Sequence, residues 1–197
     1  MIGSLLIAYR GVKLTLVRLT IRAFYRIKIK LLQKLLGPDA IEVVLYNSLF
    51  PDTVLNLGGA LIGQNVRINR WLTIHGSGGS FKQLTIGDDV HVGKFVLIDL
   101  VGPVTIGNRV GIGMFSKVLS HQELGDTELK KVYPRQSGPV IIPDDVVLSA
   151  SSIMLYPTRL VSGTLVGAGA VVRGEYDKPC ILIGNPARVV AHLPHKV

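Results

Sequence analysis

The chain has 197 residues, enough for one domain with an appendage, and 48% of them are hydrophobic, which excludes a disordered protein. Cys180 is the only cysteine, so no intrachain disulfide and no cysteine-based zinc site can form, and a reducing, cytoplasmic compartment is expected. The net charge of +9 is uneven: residues 1 to 36 hold eight Lys/Arg and no acid, the remainder fourteen Lys/Arg against thirteen Asp/Glu, which argues against a basic nucleic-acid-binding domain.

The opening segment reads as one helix over residues 1 to about 36. It is rich in Leu, Ile, Lys and Arg, lacks proline, and stops at Gly37-Pro38. Arg18, Arg22, Arg26, Lys30 and Lys34 lie four apart and form a slowly winding basic stripe, while Leu16, Leu19, Ile27, Leu31 and Leu35 populate other faces. A spanning helix needs ~20 apolar residues with few charges, and here charges recur every two to five residues from Arg10 onward. No uncharged core precedes a small-residue cleavage site, so a secretory signal is not expected either. Two readings remain: an interfacial helix on an anionic membrane surface, or a helix that caps the open end of the neighbouring domain.

From Ile62 onward an aliphatic residue recurs every six positions. The series runs Ile62, Ile68, Ile74; Ile86, Val92, Ile98; Ile106, Ile112, Val118; Ile142, Leu148, Met154; and Leu160, Val166, Val172. Six is the period of neither a helix nor a single strand; it fits a chain that turns a corner after each short strand, so that residues six apart share a core. The next residue is Gly at 63, 87, 93, 107, 113 and 167, where a corner calls for a small residue or unusual backbone angles. Four positions after the aliphatic residue come Val66, Val90, Val96, Val110, Val146 and Ala170. Three hexapeptides make one triangular coil, and coils stack at strand spacing, ~4.8 Å. The predicted architecture is a mainly β, parallel solenoid.

The interruptions fall at Ile74–Ile86, Ile98–Ile106 and Val118–Ile142, inserting six, two and eighteen residues. Each follows the third face of its coil, so all three loops leave from one edge, where a rigid scaffold usually places its function. His121 sits at the root of the longest. The predicted organisation is a helical segment over 1–54, a solenoid over 55–191 with a protruding loop over 119–141, and a tail over 192–197.

The stretch from about residue 55 to 191 resembles the left-handed β-helix acyltransferases of the hexapeptide-repeat family, above all those that O-acetylate sugars of bacterial surface polysaccharides. The resemblance rests on the repeat, on "VLSHQ" before the long loop, "GPVIIPDDVVLSASSIML" after it, "LVGAGAVV" and the closing "GNPARVV". It implies left-handed coiling, against the usual right-handed preference. It also implies a homotrimer with sites at subunit boundaries and acetyl-CoA as co-substrate, with no metal. The acceptor it implies is a sugar hydroxyl of a surface polysaccharide or its lipid-linked precursor.

In such enzymes a histidine at the root of the long loop is the general base, and His121 matches it. A neutral imidazole can take the proton of a sugar hydroxyl as it attacks the thioester, and backbone N–H groups at a corner can hold the oxyanion. His75 lies on the same edge two coils earlier and, with Ser120, is a candidate acceptor-binding residue; Asp99 is a candidate to orient His121 or bind a hydroxyl, or else a solvated corner carboxylate. His91 reads as solvent-facing, and His192 and His195 lie in the tail. Ser149, Ala150, Gly167 and Ala168 match the small residues along the pantetheine arm, and Arg173 and Arg188 match basic residues that meet the CoA phosphates.

Two departures stand out. Val147 stands where relatives carry a tryptophan that walls the acyl-CoA channel, and "VGKFVL" replaces an asparagine-bearing coil. A γ-type carbonic anhydrase uses the same solenoid but needs histidines five apart, and His121 has Ser116 and Asp126 at those distances. The alternatives that stay open are a non-catalytic scaffold, a different acyl donor, or an amino-sugar acceptor.

Overall fold

The computed structural model of the protein describes the backbone of residues 2–194 and the surroundings of side chains 17 and 19–194. The side chains of Leu16 and Arg18, and His195, lie outside the described residues. The chain opens with three helices, α1 (Ile2–Leu36), α2 (Ala40–Tyr46) and α3 (Pro51–Leu57). As the sequence predicts, α1 ends at Gly37, whose φ of +91° suits glycine and whose N–H donates to the carbonyl of Gln33. Among the described residues no helix is long and apolar enough to cross a membrane.

A parallel solenoid comes next. The first coil is β1 (Leu61–Ile62), β2 (Arg67–Ile68) and β3 (Thr73–His75); the second β4 (Leu84–Ile86), β5 (His91–Val92) and β6 (Leu97–Asp99); the third β7 (Val104–Ile106), β8 (Gly111–Ile112) and β9 (Lys117–Leu119). A hairpin of β10 (His121–Gln122) and β11 (Gln136–Ser137) fills the long insertion. The fourth and fifth coils use β12 (Val140–Ile142), β13 (Val147–Leu148), β14 (Ile153–Arg159), β15 (Leu165–Val166) and β16 (Val171–Glu175). The last turn is closed by β17 (Cys180–Ile183), against which β18 (Arg188–His192) returns antiparallel.

The six-residue register is the pairing register. Ile62, Ile86, Ile106 and Ile142 pair in succession on one face. Ile68, Val92, Ile112, Leu148 and Val166 pair on the second, and Ile74, Ile98, Val118, Met154 and Val172 on the third. Leu182 adds a further rung to the second face, beyond the predicted series. Thirteen of the fifteen predicted aliphatic positions are buried, and the other two, Ile62 and Ile68 in the first coil, are half-buried beneath α3.

The glycines after the aliphatic residues are there for close approach, not for unusual φ. A Cβ at Gly113 would lie 2.5 Å from the backbone N of Ala150, and one at Gly93 2.6 Å from the N of Met114. The left-handed backbone falls two residues later, on Asn65, Asp89, Arg109 and Asp145 at one edge and on Trp71, Phe95, Phe115 and Ser151 at the next. A bulky residue in that region costs about 1–3 kcal/mol. At the second edge it is offset by stacking: the rings of Trp71 and Phe95 lie 4.8 Å apart and those of Phe95 and Phe115 5.1 Å apart, with planes within 6° of parallel.

The first coil is covered by α2 and α3 rather than by α1 directly. Ile41, Val44, Leu45, Val54 and Leu55 are buried and form one core with Leu72 and Phe81 of the first coil and its loop. α1 lies across this layer, burying Tyr25 and Ile29; the Tyr25 hydroxyl accepts from the N–H of Leu49, and Arg22 donates to Asn56. α1 is thus the outer of two helical layers over the first coil.

Candidate active site

The three insertions leave from one edge, and the register sets what meets there. His75 ends β3 and pairs with Asp99 at the end of β6. In the next coil Ser120 follows β9, and His121 opens the hairpin, paired with Ser137. His121 is therefore held on a strand, not on a free loop.

Asp99 is 1% exposed and organises the cluster. Its Oδ2 accepts from the N–H of Ser120 at 2.9 Å, from the Ser120 hydroxyl at 2.8 Å and from Nδ1 of His121 at 2.6 Å. Its Oδ1 accepts from the N–H of Val101 at 3.3 Å, and the N–H of Gly102 donates to the Ser120 hydroxyl oxygen at 2.8 Å. Burial alone pushes the Asp99 carboxyl up, but donation from His121, Ser120 and Val101 outweighs it and holds the group below the usual carboxylate value. An ionised carboxylate only accepts, so Nδ1 of His121 carries a proton toward Asp99, and Nε2 presents its lone pair away from it. The imidazole of His75 stacks on that of His121, ring centres 6.0 Å apart and planes 19° apart. The arrangement can take a proton at one fixed nitrogen and stabilise the resulting imidazolium.

One side of the cluster is built from Tyr156, which the sequence-based expectations lack, and Arg173, which they assign to the CoA phosphates. The Tyr156 hydroxyl donates to Gln122 at 3.1 Å, and the Arg173 guanidinium lies 5.6 Å above the Tyr156 ring while also donating to Gln136. Burial pushes the Tyr156 hydroxyl up, so it stays a neutral donor at pH 7. A signal is present in the sequence: Tyr156 stands two residues after Met154, as Ser120 stands two after Val118, one coil apart in the same register.

The structure brings together His121, Asp99, Ser120 and His75. It separates from them Ser149, Ala150, Gly167, Ala168 and Arg188 of the set assigned to a CoA donor, whereas Arg173 of that set lies at the His121 edge. Ser149 and Ala150 turn the edge between the second and third faces, with Gly167 and Ala168 one coil further on, where Gly169 N–H donates to the carbonyl of Ala150. In these two coils the edge is lined by small groups, unlike the first three coils with their stacked aromatic rings, and a Cβ at Gly169 would meet nothing within 4 Å, which suits a slender linear arm. Arg188 is exposed in β18, and Arg173 sits at the His121 edge beside Tyr156. Val147, in the place of the channel tryptophan, is 46% exposed. Among the described residues no three His, Cys, Asp or Glu side chains gather as a metal-ligating group.

No family model matches the chain. Over 113 residues it is 24% identical to YvoF of Bacillus subtilis, a protein named as an acetyltransferase, covering 56% of this chain and 62% of the relative. Over 59 residues it is 36% identical to the 2,3,4,5-tetrahydropyridine-2,6-dicarboxylate N-acetyltransferase of Staphylococcus aureus, covering 30% of this chain and 25% of that enzyme. The chain thus spans less than two thirds of either relative. Among solved structures, the hexapeptide-repeat acetyltransferase VCA0836 of Vibrio cholerae complexed with acetyl-CoA superposes with a TM-score of 0.69 at 20% identity, covering 85% of this chain and 90% of that one. A maltose O-acetyltransferase from Clostridium difficile superposes at 0.57 and 17% identity, covering 80% and 85%. These likenesses establish the fold.

Proposed function

We propose that this chain, which has the left-handed β-helix fold of the hexapeptide-repeat acyltransferases, transfers an acetyl group from acetyl-CoA to a hydroxyl of a sugar in a surface polysaccharide or its lipid-linked precursor. The observation that carries the reading is the 2.6 Å contact between His121 Nδ1 and a buried carboxylate, at the edge where all the insertions gather. His121 Nε2 accepts the proton of the attacking hydroxyl, Asp99 stabilises the imidazolium, and the proton is later returned to the departing thiolate sulfur. Acetyl-CoA supplies the activated acyl carbon. Ser149, Ala150, Gly167 and Ala168 would line its pantetheine arm, Arg188 would meet its phosphates, and His75, Tyr156 and Arg173 would face the acceptor, while Ser120, fully buried with its hydroxyl held between Asp99 and the N–H of Gly102, would orient Asp99 rather than touch the acceptor.

The donor edge and His121 lie on different edges of one solenoid. That separation supports a homotrimer in which a neighbouring copy brings its donor edge to the His121 of the first. The S. aureus relative is named as an N-acetyltransferase, which supports a second reading in which an amine, here that of an amino sugar, is the acceptor at the same base. Incubation with acetyl-CoA and a panel of sugars and amino sugars, read by thiol release and product mass, tests both. An acetyl ester is expected; an acetamide selects the second reading. Release of no thiol with any acceptor leaves a non-catalytic scaffold.

A further inference from the structure

We infer that α1 is two-sided, with one face fixing the cap and a second, exposed face docking the protein on an anionic membrane surface. Tyr25 and Ile29 are buried on the layer beneath, flanked by Ile21 and Leu32. About a third of a turn around the helix, Phe24, Ile27, Leu31 and Leu35, spaced three, four and four apart, form a continuous stripe at 59, 69, 57 and 68% exposure. Four large apolar side chains in one row on a helix are not the scattered exposure normal to a surface. Lys28 borders the stripe on one side and Arg26, Lys30 and Lys34 on the other, and the helix sequence contains no acid.

The charge selects the occupant. A second copy of the same stripe would bring like charges face to face, whereas anionic headgroups meet the cations while the apolar row enters the acyl boundary. The capping and membrane roles are therefore not alternatives; they use different faces of one helix. The same helical layer reaches the site edge, where the hydroxyl and N–H of Ser77, two residues past His75, donate to Glu42 of α2. A docked protein would carry that edge beside the bilayer, as a lipid-linked acceptor requires; this last point rests on the acyltransfer reading, the docking itself does not.

The test is co-sedimentation of the full chain with phosphatidylcholine vesicles, with and without phosphatidylglycerol. Binding to the anionic vesicles at low salt, falling as salt rises, is expected. Replacing Arg26, Lys30 and Lys34 by Gln should weaken it on the order of 10²-fold. Ile27→Glu with Leu31→Glu should abolish it while the thermal melt is unchanged, because both side chains are exposed. Failure to bind anionic vesicles at low salt overturns the inference, as does undiminished binding by the double Glu variant. A smaller assembly of that variant in vesicle-free sedimentation would show that the stripe joins copies instead. None of these readouts involves acyl transfer, so failure of the docking and failure of the enzymatic reading are distinguishable.

Discussion

Asp99 holds His121 from one coil away: its Oδ2 lies 2.6 Å from the imidazole Nδ1, and the same oxygen also accepts both the N–H and the hydroxyl of Ser120. Three donors on one buried oxygen fix the ring orientation and its tautomer together. The strand alone cannot do this, since it fixes the backbone of His121 but not which ring nitrogen carries the proton.

The first prediction separates the two residues. His121→Ala should lower transfer by roughly 10²-fold or more, the scale of a lost general base, with the fold retained. Asp99→Asn should keep the nitrogen but lose its alignment, lowering kcat with little change in the acceptor KM. Unchanged turnover in a folded His121→Ala protein would remove His121 from the mechanism.

The second prediction concerns acid stability. The Asp99 carboxyl titrates below its ordinary value in the folded state, so it favours folding when ionised. That contribution is fully present above the unfolded carboxylate value, about 3.9, and is lost as pH falls through the lower folded value. Urea midpoints followed from neutral pH into acid should therefore drop more steeply for the wild type than for Asp99→Asn. Parallel curves would mean that the contacts to Asp99 do not favour its ionised form.

Much of this arrangement is legible in the sequence, for a physical reason. A hexapeptide period puts each aliphatic residue in one column, so counting sixes reproduces the pairing partners and shows that the insertions share an edge. His121 follows from the break, and Asp99 from standing one residue past the column, as His75 does. Tyr156 escapes that count because its signal is an offset from Met154, two residues on, rather than a place in the column. The short helices α2 and α3, of seven residues each, carry too few turns for a periodic signal and are held by burial of Val54, Leu55 and Leu45. The stacked Trp71, Phe95 and Phe115 are equally hard to foresee. Left-handed backbone is usually announced by Gly or Asn, and here three aromatic rings occupy it.

The third prediction matches a corner glycine, Gly113, with a strand glycine, Gly111. Gly113→Ala would place a Cβ 2.5 Å from the backbone of the next coil at Ala150, where no side chain can yield, and should destabilise by about 1–3 kcal/mol. Gly111, two residues earlier, has nothing within 4 Å of the same atom and an ordinary φ, so Gly111→Ala should be neutral or slightly stabilising. Equal melting temperatures for the two variants would show that the coils separate without cost.

The fourth prediction tests whether the site is shared between copies. His121→Ala removes the base but leaves the edge of Ser149, Ala150, Gly167 and Ala168 intact. Ala168→Trp, at an exposed position, should fill that edge but leave the base. Each variant alone should be inactive. If base and donor edge come from neighbouring copies, unfolding and refolding an equal mixture should restore activity, because each boundary draws its two halves independently. Random assembly gives about a quarter of boundaries with both halves intact, whatever the order around a threefold ring. If one chain supplied both halves, no mixture could contain an intact site. Recovery near a quarter, with sedimentation showing trimers, supports the shared site; no recovery from refolded mixed trimers places base and donor edge in the same copy.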